Sequence, residues 1–241
     1  MLLKDFSFKT PQENILYDEL LLKMADKQSA GEVLRFWESP EICIVLGLIG
    51  KEQEDICLEQ ARKDKIKVLR RTSGGGTVLQ GPGCLNYTLV LDKNRHPDLA
   101  DLRKSYHWIS LKVIEALRVC GVKAVFRPIS DMALANNEKK FSGNAQHRGK
   151  SYILHHGTML YDFDLSLVSR YLRMPKDVPD YRKNRSHEDF VTNIELRPAL
   201  FKRALAEIFS LKCADMLQTL SNQELLALQE ILQKRSVVVN Y

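Results

Sequence analysis

The sequence predicts a mixed α+β fold, and three observations carry that prediction. Helical and extended segments follow one another irregularly, as helix, strands, helix, strands, helix, rather than as regular βαβ units. Periodicity separates a few long amphipathic stretches from many short β-rich runs. The 241 residues are 44% apolar and 27% charged, the composition of a chain able to bury a core.

Taken in order, Thr10-Pro11-Gln12-Glu13 is a capping box with proline at the first helical position. Leu16, Leu20 and Met24 then recur every four residues and predict a helix over 11–26. Two β-rich runs, 32–38 and 42–46, flank Ser39-Pro40-Glu41 and read as a hairpin-like pair. A charged helical stretch over 52–63 precedes a strand at 66–71. Residues 72–83 hold five glycines in twelve positions, and a strand resumes at 85–91. The longest amphipathic pattern, 102–120, is a helix stopped by Gly121. Extended runs at 122–127, 132–135, 140–146 and 152–161 read as an antiparallel meander. A short helix over 165–172 and a polar, basic loop over 174–188 follow. Helices over 198–209 and 221–234 come last, the second opening on a capping box, Ser221-x-x-Glu224. No repeat, low-complexity segment or linker divides the chain, so 1–241 is expected to be one domain.

With 36 Lys+Arg against 30 Asp+Glu the formal charge is +6, which favours acidic partners. The charge is dispersed. Its densest run is Arg182-Lys183-Asn184-Arg185, which a solvated loop explains as well as binding does. Five scattered cysteines without a C-x-x-C pair argue against a disulfide framework and against structural zinc. Cys43, Cys57, Cys120 and Cys213 read as reduced core or helix residues, and Cys84 alone sits in the glycine-rich segment. The longest apolar runs, such as 42–46, are too short to span a bilayer, and the first residues lack a secretory pattern. The expected setting is the cytoplasm, with no membrane.

Three segments carry chemistry. Arg70-Arg71-Thr72-Ser73-Gly74-Gly75-Gly76-Thr77 combines two fixed cations with a backbone free to approach a ligand and point N–H groups at it. It is not a P-loop, and a glycine-rich turn between strands accounts for the same residues. Lys139-Lys140-Phe141-Ser142-Gly143 can place an ammonium beside small residues that leave room for a phosphate or carbonyl. An exposed lysine pair at a hairpin mouth is the plainer account. His155-His156-Gly157-Thr158 has its histidines on opposite faces of a strand, a poor chelating pair, so no metal site is expected.

Together and in this order the segments resemble the biotin/lipoate-ligase catalytic domain, most closely lipoate–protein ligase. The family's R-R-x-S-G-G-G-x-V matches 70–78, its G-x-L-N matches 83–86, its K-x-S-G matches 140–143, and its H-H-G-T-x-L matches 155–160. An acidic residue before the lysine strand, usually in an Asn-Asp pair, is matched by Ser130-Asp131. The likeness runs from about Pro11 to Phe209. It implies a mixed sheet of five to seven strands flanked by helices, a smaller second sheet, and a helical appendage over about 198–241 in place of a full accessory domain.

It also implies a reaction. ATP, with Mg²⁺, activates the carboxylate of lipoate (or octanoate) as an acyl-adenylate. The acyl group then passes to a lysine of a lipoyl-carrier domain, an E2 subunit or glycine-cleavage H protein. By position, Arg71, Gly74, Gly75, Gly76, Thr77, Val78, Leu79, Asp131 and Lys140 would serve the nucleotide. Lys140 would be catalytic, with Asp131 orienting it or a magnesium ion. Arg70, Ser73, Asn86, Ser142, Gly143, His155, Gly157 and Thr158 would serve the acyl substrate. A lipoate-sized apolar tunnel is expected near Leu69, Val78 and His155, and the 182–185 loop is the expected carrier contact.

Two departures matter. Gln80-Gly81-Pro82-Gly83 stands where many ligases carry His-Asp, and resembles the related octanoyltransferases. The reduced C-terminal part suggests a separate accessory subunit. The alternative is an ATP-independent octanoyl- or lipoyltransferase working through a cysteine thioester. Those relatives place the cysteine before the lysine-bearing strand, where 126–132 has none. Cys84 is the substitute, though its register matches a structural position, and Ser130 has no evident base. A repressor of the biotin-ligase type would need a helix-turn-helix before the domain, which is not legible here, so nucleic acid is not an expected partner.

Overall fold

The structure is a computed structural model that describes residues 1–211 and 219–241; Cys213 lies outside the described residues. In chain order the elements are β1 (Leu2–Asp5), α1 (Pro11–Asp26), β2 (Val33–Trp37), β3 (Cys43–Leu46), α2 (Glu52–Asp55), α3 (Leu58–Lys63), β4 (Lys67–Arg70), β5 (Val78–Gln80), β6 (Cys84–Asp92), α4 (Leu102–Val119), β7 (Ala124–Arg127), β8 (Asp131–Leu134), β9 (Lys140–Arg148), β10 (Tyr152–Leu160), α5 (Ser166–Tyr171), α6 (His187–Phe190), α7 (Pro198–Ile208) and α8 (Asn222–Lys234). No helix among the described residues is long and apolar enough to cross a membrane.

The strands form two sheets, as expected: seven strands in the order β1-β2-β6-β10-β9-β8-β7, and three in the order β4-β3-β5. β1 runs parallel to β2, and the remaining neighbours in the large sheet are antiparallel. In the small sheet β3 pairs in parallel with β4 and antiparallel with β5. The meander 122–161 formed as predicted. The hairpin-like pair at 32–46 did not, because β2 and β3 diverge into different sheets. The helix expected over 52–63 breaks in two where Ile56 is buried against Leu172 as an isolated bridge.

The large sheet has one core on each face, because successive side chains of a strand point to opposite sides. On one face Leu85, Tyr87 and Leu89 of β6 and Met159 of β10 pack with Ile109 and Val113 of α4 and Phe201 of α7. On the other, Val90 and Leu154 pack with Leu16, Leu20 and Leu21 of α1, Val45 and Leu69 of the small sheet, and Leu228 of α8. The helix boundaries follow their signals. Thr10 and Glu13 form the α1 capping box, Ser221 and Glu224 that of α8, and Gly121 follows the end of α4 at φ +84°. α8 docks through Glu224, buried against Lys4 (2.9 Å) and the Tyr17 hydroxyl (3.1 Å). The chain after α8 then runs beside β4: Arg70 N donates to Val237 O (2.9 Å) and Val239 N to Val68 O (2.8 Å).

Candidate functional site

The small sheet is pinned over the α1 face of the large one by three mutual hydrogen bonds. Asn86 Nδ2 donates to Gln80 Oε1 (2.8 Å), Gln80 Nε2 to Thr158 Oγ1 (2.8 Å), and Thr158 Oγ1 to Asn86 Oδ1 (2.9 Å). A closed ring of this kind satisfies buried polar groups that would otherwise be costly. It ties β5 to β6 and β10, and so fixes where the glycine-rich turn between β4 and β5 lands. That turn lies over β9. Gly74 N reaches Gln146 O (3.5 Å), and a Cβ on Gly75 would stand 3.7 Å from Ala145 Cβ. Gly75 has φ +79°, a region glycine enters without strain. Gly47 packs so closely that a Cβ there would lie 2.1 Å from the Gly75 carbonyl oxygen.

Arg71 holds the turn from inside. It is buried, and four of its five N–H donors are engaged. Nε donates to Ser73 Oγ (3.0 Å), Nη1 to Val45 O (3.1 Å), and Nη2 to Gly74 O (2.7 Å) and Gly76 O (2.8 Å). Burial lowers its guanidinium to about 10. Arg71 thus shapes the turn instead of offering its fork outward. Arg70 points elsewhere: Nη1 donates to the carbonyls of Gly47 (3.1 Å) and Gly50 (2.7 Å), and Nη2 pairs with Glu52. Thr77 donates to Asp55 Oδ2 (2.6 Å), and Leu79 is buried, while Val78 packs against the α1 core. What the turn exposes is mainly the backbone of Gly75 and Gly76.

Two residues along β9 stands the other half of the site. Lys140 Nζ lies 2.8 Å from Asp131 Oδ1, and Tyr181 donates to Asp131 Oδ2 at 2.7 Å. The ammonium is 3.3 Å from where a Gly143 Cβ would be, so it caps the same face that Ala145 presents to Gly75. Positions i and i+2 of a strand are about 7 Å apart on one face. A half-exposed cation and an exposed glycine backbone therefore share a single surface.

Beneath them runs a buried polar chain. Ser73 Oγ and His156 Nε2 are 2.7 Å apart, and His156 Nδ1 is 3.9 Å from Asp18 Oδ2. Asp18 accepts from Arg35 (2.5 Å), Thr88 (2.8 Å) and Trp37 Nε1 (3.2 Å). Burial alone would raise the Asp18 carboxyl, but Arg35 and His156 beside it hold it below the ordinary value.

The same register overturns three placements. His155, Gly157 and Ser142 lie on the α4/α7 face, opposite the turn and Lys140. His155 is fully buried among Gln146 (3.1 Å), Tyr87 and Tyr106, and burial lowers it to about 3, a neutral core histidine. A Cβ on Gly157 would strike Asn144 Oδ1 at 1.9 Å, so glycine there makes room for the Asn144–Tyr87 contact. Of the two adjacent histidines it is His156 that faces the turn, and strand pairing with Ala145 is the signal that identifies it. Because Leu69 and His155 sit on opposite faces, they do not line one tunnel. The 182–185 loop also folds in on itself. Arg182 is buried over Phe190 and donates to Arg185 O (2.9 Å), while Arg185 donates to Tyr181 O (2.8 Å) and Glu138 O (3.2 Å). Tyr181 gave no signal in sequence; only the fold brings it to Asp131. Among the described residues no group of three or more His, Cys, Asp and Glu side chains is placed to hold a metal ion.

The family model for the lipoyl protein ligase A/B catalytic domain matches residues 10–209. A probable lipoate-protein ligase A of Mycoplasma pneumoniae is 31% identical over 69% of this chain and 47% of its own length. An octanoyltransferase LipM of Oceanobacillus iheyensis is 26% identical over 78% of this chain and 75% of its own. The chain spans about half the length of the lipoate-protein ligases it matches first. Among solved structures, a bi-partite lipoate protein ligase of Thermoplasma acidophilum, described with its E2 lipoyl domain, superposes with a TM-score of 0.77 at 23% identity, covering 98% of this chain and 93% of its own. A lipoate-protein ligase A solved with ATP bound gives 0.77 at 22% identity, covering 98% and 96%. At such identities the structures share the fold.

Proposed function

The chain belongs to the lipoyl protein ligase A/B catalytic-domain family, and from that premise we propose that it activates lipoate with ATP and transfers the acyl group to a lysine of a lipoyl-carrier domain. The observation that supports this reading most directly is the shared face of β9, where Lys140 and the glycine-rich turn stand side by side. A carboxylate acylates an amine only after its oxygen becomes a good leaving group. Attack of the lipoate carboxylate on the α-phosphorus of ATP supplies one and releases pyrophosphate. Lys140 would neutralise charge gathering on the α-phosphate, and the Gly75–Gly76 backbone would bring its dipoles against the same group. In the second step the carrier amine attacks the acyl carbonyl, which Lys140 polarises, and AMP departs. Asp131 and Tyr181 position the lysine for both steps; Arg71 does the same for the turn.

The residues fit nucleotide phosphates, since Gly74 and Gly76 leave open space where a side chain would stand. They do not form a protein-built magnesium site, because both Asp131 oxygens are taken by Lys140 and Tyr181. Any Mg²⁺ would come bound to the phosphates, and no step is assigned to it. The acceptor proposed is an E2 lipoyl domain or glycine-cleavage H protein, with a separate accessory subunit supporting activation.

The kinship with octanoyltransferases favours testing thioester transfer as a second reading. Cys84 serves it poorly: it is fully buried in the middle layer under the small sheet, and burial pushes its thiol up. The deciding experiment incubates the protein with lipoate, Mg²⁺ and labelled ATP. Pyrophosphate release with protein-bound lipoyl-AMP supports the ligase. ATP-independent acyl transfer through a trapped thioester would replace it with the transferase.

A further inference from the structure

Large apolar side chains are exposed at three loop tips. They are Leu48 and Ile49 before α2, Ile129 before β8, and Met174 and Val178 after α5, with Ile49 84% and Ile129 75% exposed. Isolated exposed apolar residues are ordinary, but a group around one site marks an interaction surface. A chain of contacts links the three tips to the glycine-rich turn and to the Lys140–Asp131 pair. Gly47, at the base of the first tip, packs on Gly75, and Leu48 N donates to Ser73 O (2.9 Å). The third tip is joined to the first beyond α2, where Arg173 N donates to Asp55 O (2.9 Å) and Lys176 Nζ reaches Glu54 Oε2 (3.0 Å). Tyr181, farther along that segment, donates to Asp131, and Ile129 precedes Asp131 by two residues.

Lysines border the tips: Glu54 is shared by Lys51 (3.2 Å) and Lys176, and Glu138 by Arg127 and Lys183 (3.5 Å), with Asp177 and Asp180 exposed in the segment that carries Lys176. Lys51, Lys176 and Lys183 are all exposed. Such exposed pairs hold their partners weakly and leave the lysines available to a third carboxylate.

We propose that these tips are the docking rim for the protein that accepts the acyl group. That acceptor is a folded domain with an apolar patch flanked by carboxylates beside its target lysine. The proposal rests on the acyl-transfer reading, because an amine that must reach Lys140 brings its domain onto the rim. An apolar centre with a basic border gives a partner both contact area and a faster encounter.

The test uses the full chain, an apo lipoyl domain as acceptor, and two variants of residues to which the proposed chemistry assigns no role: Ile49→Asp and the pair Lys51→Glu/Lys176→Glu. Pyrophosphate release without acceptor should match wild type. Transfer at low acceptor concentration should fall at least tenfold, about 1.4 kcal/mol, through a higher KM for the domain. The lysine variant should also lose much of the salt dependence of transfer. Unchanged transfer by both variants, with adenylate formation intact, overturns the docking rim and leaves the ligase reading standing. If wild type releases no pyrophosphate and transfers nothing, the ligase reading falls instead. Calorimetric titration of the apo domain then decides the rim. Binding weakened by Ile49→Asp supports it, and no binding to wild type overturns it. Adhesion to anionic vesicles that Ile49→Asp abolishes, without domain binding, would reassign the rim to a membrane and equally overturn it.

Discussion

Replacing Lys140 by alanine separates a catalytic ammonium from a surface ion pair. As an ion pair, Lys140–Asp131 contributes little: the lysine side chain is 29% exposed, and Asp131 keeps Tyr181 as a partner after the change. A partly exposed pair of this kind is worth under about 1 kcal/mol, a melting shift of no more than about 4 °C for a chain of this size. As the cation facing a developing phosphate charge it is worth far more. Loss of one preorganised stabilising group costs about 2.7–4 kcal/mol of barrier, or about 10²–10³-fold in turnover. Two assays read this: pyrophosphate release from ATP and lipoate, and transfer from isolated lipoyl-AMP to an apo lipoyl domain. Both should fall together, because in the proposed reaction the ammonium serves both half-reactions. Lys140→Arg should rescue poorly, since Nζ already stands 3.3 Å from the Gly143 Cβ position and a planar fork is bulkier than a point charge. Folded Lys140→Ala protein with wild-type turnover in both assays would refute the assignment.

Arg71→Lys should destabilise by about 2–3 kcal/mol in chemical denaturation, because a single ammonium cannot serve the Val45, Gly74 and Gly76 carbonyls together; it should also raise KM for ATP by loosening the turn. Cys84→Ala should leave ATP-dependent transfer near wild type, and mass spectrometry of the wild type should show no acyl thioester on this buried thiol. His155, at about 3, binds its proton less readily when folded than when unfolded. Stability should therefore fall as pH drops below about 6.5, by about 2 kcal/mol between pH 7 and 5; His155→Gln should flatten that part of the denaturation profile, and an unchanged slope would contradict a buried neutral histidine.

Most of the fold was legible where the signal is local. Capping boxes at Thr10 and Ser221 fixed the starts of α1 and α8, and alternation with tight turns marked the meander β7–β10. Errors appear where pairing is non-local. β1 and β5, of four and three residues, are too short to show alternation, and β1 is a strand because β2 hydrogen-bonds alongside it. The turn Ser39-Pro40-Glu41 looked like a hairpin, yet the chain crosses there between sheets. Cys43 and Ile44 find partners at Lys67 and Val68, more than twenty residues on. No pattern within the run 32–46 encodes that choice.

The site shows the same limit more sharply, because its residues were found as motifs while their sides were not. Four motifs mark β6, β9, β10 and the turn between β4 and β5, but a motif lists neighbours in sequence, and a strand sends neighbours to opposite faces. Lys140, Gly143, His156 and Thr158 share the face of the turn, whereas Ser142, His155 and Gly157 support the opposite core. The arginines divide likewise: Arg70 and Arg71 are adjacent, yet one latches the 47–50 turn and the other is buried under the glycines. Parity and burial together separate a residue that can meet a ligand from one that keeps the first in place. His156, Asp18, Arg71 and Tyr181 belong to the second kind: each touches the turn or the Lys140–Asp131 pair, or a residue that does, and together they hold one partly exposed cation beside one exposed stretch of backbone.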